Sequence, residues 1–147
     1  LAATLLFAVL AHGEEPAAKS KYQSDLLALH NKTRAEHKLP PLTSDGLLAN
    51  AAQGHADHMA KTGKLGHDGI GNGTIVSRID ASGYSWSSVA ENIGWGAKSP
   101  AAMMKVWLES PPHRQTILRK YEQVGFARAV GSDGKVYWVA CFGVPLK

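Results

Sequence analysis

The apolar residues of this chain follow two periods. Leu26, Leu27 and Leu29 have helical spacing between Ser24 and His37, and the LPPL run at 39–42 ends that helix. Ser44 or Asp45 offers a cap for a second helix, which Gly63 stops after Thr62. Its apolar stripe is Leu47, Leu48, Ala51, Ala52 and Met59. Residues 63–83 are rich in Gly, Asp, Asn and Ser and predict a long loop interrupted by VSRI, a length often tied to function. A two-residue alternation then appears, and SSVAENIGW reads as a strand. Ser99 and Pro100 begin a third helix, with serine as cap and proline in its first turn. Pro111 and Pro112 end it near Ser110, before HRQTIL resumes helical composition. VGFARAV and KVYWVACFG flank GSDG as a β-hairpin, with Gly131 and Gly134 supplying turn freedom. Helices come first and the hairpin last, so the expected class is α+β, with helices packed on a small antiparallel sheet.

Composition narrows the setting. The 147 residues suit one domain, large enough to bury roughly two-thirds of its unfolded surface. The opening LAATLLFAVL, followed by AHG, matches the apolar region and small-residue cleavage site of a secretory signal without its basic start. The expected organisation is a truncated signal peptide at 1–13, a linker at 14–23 and a domain at 24–147. The apolar run is too short to span a bilayer, so no stable membrane span is expected after cleavage; an uncleaved anchor is the other reading. The net charge of +4 is spread along the chain, without interleaved aromatics, and no nucleic-acid partner is expected. A single cysteine, Cys141, excludes an intramolecular disulfide, and export without disulfides suits a bacterial periplasmic or secreted domain. Both alternating faces around Cys141 are apolar, which marks it as an inert buried residue.

Chemistry concentrates in a few places. On the strand, Val89, Glu91, Ile93 and Trp95 share a face. A carboxylate in that row is either buried and paired, or half-exposed on an edge strand, and both readings stand at this level. His67 in LGHDG follows a helix stop, and His113 follows the double proline, so both have small or rigid neighbours. His55 falls within the apolar stripe of the second helix, the place of a hydrogen-bonded core histidine. No HExxH, GxSxG, P-loop or GxGxxG pattern is present.

Several segments share a family's order. HNKTRAEHKLPPL, LLANAAQGHADHMAKTGKLGHD, SRIDASGY, AENIGWG, VWLESPPHRQTIL, YEQVGFARAV and YWVACFG closely resemble the CAP superfamily, from about residue 24 to 143. This is the SCP domain of cysteine-rich secretory proteins, antigen five and plant pathogenesis-related proteins, here in its cysteine-poor bacterial branch. The resemblance implies a three-layer α-β-α sandwich whose cleft is lined by two histidines and two acids. By motif these are His67, Glu91 and His113, with Ser110 where the second acid of the eukaryotic pattern stands and Asn92 beside Glu91. Helix geometry keeps Glu109 out of that role: Met103, Met104, Trp107 and Leu108 define the buried face, and Glu109 points away with Lys105. Trp107, Pro111, Pro112 and His55 are expected to be structural. The prolines would stop the helix so that His113 turns toward Glu91 and His67.

Two histidines and one carboxylate can bind Zn²⁺ or another divalent cation and leave a position for water. The leading expectation is a secreted or periplasmic binding domain that takes such a cation and a small-molecule ligand such as a lipid, with the question of catalysis left open at this level. A metal-dependent hydrolase of envelope or extracellular polymers is the alternative. A structural interaction module is the third. The oligomeric state is not legible in the sequence.

Overall fold

The structure, a computed structural model, describes residues 20–147. The expected signal peptide and residues 14–19 of the expected linker lie outside them. The first helix, α1 (Lys21–Glu36), takes in residues 21–23, which the sequence reading gives to the linker. Ser20 caps it in a reciprocal box with Gln23.

A two-residue strand β1 (Thr43–Ser44) precedes α2 (Gly46–Thr62). The Asp45 side chain accepts from the Leu48 amide, and Gly63 closes α2 at φ 68°, a left-handed position natural to glycine. Of the expected stripe, Leu48, Ala51, Ala52 and Met59 are buried, whereas Leu47 is exposed. The expected long loop is replaced by a 3-10 turn (Ile70–Asn72) and a helix, α3 (Ile75–Ala81). Thr74 caps α3 by accepting from Ser77 N–H, and Ile79 anchors it in the core. Seven residues are too few for a clear apolar period, which is why composition reads as loop.

The strand β2 (Trp86–Trp95) is followed by α4 (Pro100–Glu109) and α5 (Pro111–Ile117). The two prolines do more than end α4. They occupy the first turn of α5, where no intrahelical donor is needed, and Ser110 is the shared boundary residue. The hairpin is β3 (Gln123–Val130) and β4 (Val136–Pro145), and only Gly134 of its turn has positive φ.

The sheet order is β1-β3-β4-β2. Both long pairings are antiparallel, while the short β1 runs parallel to β3. Alternation on β4 divides the core. Trp138, Ala140 and Phe142 face α1, α4 and α5, together with Leu26, Met103 and Trp107. Tyr137, Val139 and Cys141 face α2 and α3, together with Leu48, Ala52 and Ile79. The result is the expected α-β-α sandwich.

Two buried polar residues brace the first layer. Arg34 donates to the carbonyls of Pro40, Ile117, Arg119 and Tyr121, clamping the end of α1 to the end of α5. His30 donates from Nδ1 to the Leu26 carbonyl and lies among Trp107, Phe126 and Phe142. Burial holds its pKa down at about 4.

Candidate functional site

Glu91 sits mid-way along β2, opposite Cys141 of β4, on the face that carries Val89 and Ile93 toward α2 and α3. Its side chain is 1% exposed, so the half-exposed reading does not apply. Burial raises the cost of ionising it, but its partners outweigh that cost. His67 donates from Nδ1 to Oε1 at 3.0 Å, and Arg78 Nη2 lies 2.9 and 2.7 Å from Oε1 and Oε2. Set against desolvation, the His67 hydrogen bond and then the Arg78 charge hold the carboxyl below its ordinary range.

Arg78 also organises the backbone. Its Nη1 donates to the carbonyls of His67, at 2.9 Å, and Gly73, at 3.1 Å. Gly69 allows the chain to pass close over the guanidinium: a Cβ there would meet Arg78 Nη1 at 3.1 Å. His55, fully buried in α2, donates from Nε2 to the Gly66 carbonyl at 2.7 Å, and the same nitrogen lies 3.8 Å from Glu91 Oε1. The 66–73 segment is thus pinned from beneath by one imidazole and one guanidinium. His55 is the core histidine its place in the stripe implies, and it also belongs to the Glu91 cluster. Its pKa is lowered by burial, with Glu91 opposing, so the ring stays neutral. His67 moves the other way: the Glu91 hydrogen bond raises its pKa against partial burial.

His113 reaches this region from the first turn of α5. Burial lowers its pKa and the nearby charge of His67 lowers it further. Its backbone carbonyl accepts from Asn92 Nδ2 at 3.0 Å, so Asn92, itself buried, fixes the corner that presents the ring. Trp107 donates from Nε1 to the Ile93 carbonyl, tying α4 to β2. Ser110 is half-buried at the α4–α5 boundary and makes no side-chain cap bond. Glu109 is exposed and lies 3.9 Å from Lys105, on the outer side as helix geometry requires.

The expected three-ligand cation set does not fit this arrangement. Both oxygens of Glu91 are taken by Arg78, and His67 turns Nδ1 to Glu91. Among the described residues no three His, Cys, Asp or Glu side chains are grouped to hold a metal ion. His67 and Glu91 meet directly, Arg78 and His55 complete the cluster, and His113 is tied to β2 through its backbone carbonyl, which accepts from Asn92.

Sequence reasoning misses Arg78 because it takes α3 for a loop. The available signal is Thr74 as a cap, with Ile75, Ile79 and Arg78 at helical spacing behind it.

Beside the cluster a groove of about 530 Å³ opens between α2 and α3. Small residues form its walls, Ala51 and Gly54 on one side and Ala81 and Ser82 on the other, and Ile70 stands at its rim. His55 and Arg78 line it too, so groove and cluster share two side chains. His55 Nδ1 and Arg78 Nε are buried without hydrogen-bond partners. A smaller depression between α1 and α4 is lined by Leu29, Thr33, Met104 and Leu108.

Comparison with known proteins bears on both fold and setting. Residues 27–142 match the family described as CAP, the cysteine-rich secretory protein family. An uncharacterized protein of Bacillus subtilis, YkwD, is 29% identical over 103 residues, covering 70% of this chain and 40% of that protein. The chain therefore spans well under half of that relative. An extracellular protein containing an SCP domain, from Bacillus anthracis, superposes with a TM-score of 0.75 at 25% identity, over 83% of this chain and 40% of the other. An outer surface protein of Borrelia burgdorferi shares the fold with a TM-score of 0.77 at 21% identity, covering 84% of this chain and 92% of its own.

Proposed function

The chain belongs to the cysteine-rich secretory protein family, and on that premise we propose that it is an exported, non-catalytic binding domain. Its ligand is a small apolar molecule carrying a hydroxyl head, of the lipid type, seated in the groove between α2 and α3. One observation supports this reading: the groove has small-residue walls, and two residues that line it, His55 and Arg78, each keep one buried nitrogen without a hydrogen-bond partner. Because His55 Nε2 donates to Gly66, its neutral Nδ1 can only accept. Arg78 Nε can only donate. A hydroxyl does both, whereas an ether oxygen only accepts and a hydrocarbon does neither. Leaving such groups unpaired costs roughly 1–3 kcal/mol each, which a fitting ligand recovers. The apolar walls hold the body of the molecule, in the usual division of labour of small-molecule sites.

An outward address is supported by the extracellular and outer-surface proteins that this chain resembles. Among the described residues no helix is long and apolar enough to cross a membrane. The hydrolase reading has less support, because both oxygens of Glu91 are engaged by Arg78 and His67.

Gly54 supplies the test. A Cβ there meets nothing within 4 Å, so Gly54→Leu projects into the groove without disturbing the core. Binding of 1-dodecanol and of its methyl ether would be followed by protein NMR, with His55 and Ile70 as reporters. The expected result is that the alcohol binds more tightly than the ether and that Gly54→Leu abolishes both. Because glycine is a poor helix former, the variant should be no less stable than the parent. Equal binding of the two probes, or binding unaffected by Gly54→Leu, removes the groove from the function. Turnover of an ester or glycan panel that is lost with His67→Ala would instead favour the hydrolase.

A further inference from the structure

The fold gathers at one end cations that the sequence keeps far apart. Arg34 is 1% exposed, and its guanidinium donates to the carbonyls of Pro40, Ile117, Arg119 and Tyr121. Carbonyls that share one guanidinium lie close together, so the loop after α1 and the turn after α5 run side by side. The two segments also meet at the surface. His37 Nδ1 donates to the Thr33 carbonyl, and its Nε2 accepts from Arg114 Nη2 at 3.4 Å. Lys38 comes next, in the left-handed region at φ 57°, while Arg119 and Lys120 follow the end of α5.

Lys38, Arg114, Arg119 and Lys120 are all exposed. Among the described residues none of the four is in an ion pair. Two exposed acids border them in sequence, Glu36 and Glu122. Four cations less two acids leaves a surplus of two positive charges, and Glu36 is shared with Lys32 at 4.0 Å. Helix ends attract cations to their free carbonyls, but the buried Arg34 already serves those of Ile117 and Arg119. Capping therefore does not account for the surface group. Like charges held together cost free energy that an anionic partner offsets. Pro40 and Pro41, both exposed, follow Lys38 closely and have no backbone N–H to desolvate. Cations beside a donor-free backbone suit the headgroup layer of an acidic bilayer better than a free anion, which backbone donors would help to hold.

We propose that this end of the molecule, formed by the loop after α1 and by α5, is a docking surface for bilayers rich in acidic phospholipid. The contact is peripheral and electrostatic. None of the exposed large hydrophobic residues lies within residues 37–41 or 111–121, so nothing there anchors the chain in the acyl layer and salt reverses the contact. The proposal does not rest on what the groove between α2 and α3 binds.

Co-sedimentation of the full chain with vesicles tests this. Vesicles of equal parts phosphatidylcholine and phosphatidylglycerol should retain it at low salt, and vesicles of phosphatidylcholine alone should not. Retention should fade as the Debye length shrinks from about 10 Å at 0.1 M to about 3 Å at 1 M salt. Each Lys or Arg near such a surface contributes about fivefold to partitioning, so Lys38→Asn with Lys120→Gln should weaken it roughly 25-fold. Asparagine tolerates the left-handed backbone at position 38. Lys61→Gln with Lys64→Gln, at the end of α2 in the opposite helical layer, removes the same charge and should weaken binding by less than about fivefold. Equal partitioning onto neutral vesicles, equal losses in the two double variants, or no retention at low salt overturns the proposal. So does binding of soluble polyphosphate without binding of vesicles, which would assign the surface to a free polyanion.

Discussion

Replacing Glu91 by glutamine tests the centre of the site with little change of shape. The carboxylate is 1% exposed and accepts from Arg78 at 2.9 and 2.7 Å and from His67 at 3.0 Å. Glutamine keeps one acceptor but turns an NH₂ group toward the guanidinium, so a donor faces a donor and the Arg78 charge loses its counter-ion. Removing one partner of a fully buried pair costs about 3–5 kcal/mol. Arg78 is 14% exposed and retains the carbonyls of His67 and Gly73, which places the expected loss at about 2–4 kcal/mol. Urea denaturation followed by tryptophan fluorescence would measure it, with an unchanged slope as evidence that the unfolded state is comparable. Adding Arg78→Met should recover part of the loss, so that the double variant costs less than the two single changes together by roughly 1–3 kcal/mol. Glu109→Ala, on the exposed side of α4, should stay within about 0.5 kcal/mol of the parent. A loss for Glu91→Gln as small as that for Glu109→Ala would refute the idea that the pair organises the cleft.

Acid should weaken the fold before carboxylates titrate. His30 is held at about 4 against an ordinary 6.5, so between those values the unfolded chain takes up the proton first and stability falls with pH, by roughly 3 kcal/mol in all. His55, also lowered by burial, acts in the same direction. Thermal melts from pH 7 to 4 should show the slope, and His30→Leu should flatten it; an unchanged slope in that variant would place the effect elsewhere. His67 works oppositely: its raised pKa gives stabilisation that is complete below about 6.5 and fades as pH rises through the folded value. Glu91, held low, loses its contribution only as pH falls below its ordinary 4.5. Two glycine changes should separate rigid from yielding neighbours by their urea midpoints. At Gly125 a Cβ would strike the α2 backbone at Leu48 and Ala49, whereas at Gly94 it meets the flexible end of Met103. Gly125→Ala should cost at least about 3 kcal/mol and Gly94→Ala about 1 kcal/mol or less; equal costs would mean that α2 is free to shift.

What the chain encodes locally is legible before the fold. The Asp45 cap and Gly63 stop of α2, the Ser99–Pro100 start of α4 and the alternation of β4 are short-range signals, set by backbone donors, allowed dihedrals and side-chain direction. Periodicity places His55 correctly, because a polar residue inside an apolar stripe is an exception that the pattern exposes. Helix α3 escapes, since seven residues make barely two turns and owe their helicity to the packing of Ile79. Only the folded chain decides the fate of Glu91. Alternation gives its face, but whether that face is wet depends on α2 and α3 lying over an edge strand. Its true partner cannot be read from spacing, because Arg78 and Glu91 sit on separate elements and meet through tertiary packing. Nor can the sequence distinguish a carboxylate awaiting a metal ion from one already neutralised. That difference rests on a few ångströms between side chains, which the long-range contacts of the helices and sheet determine.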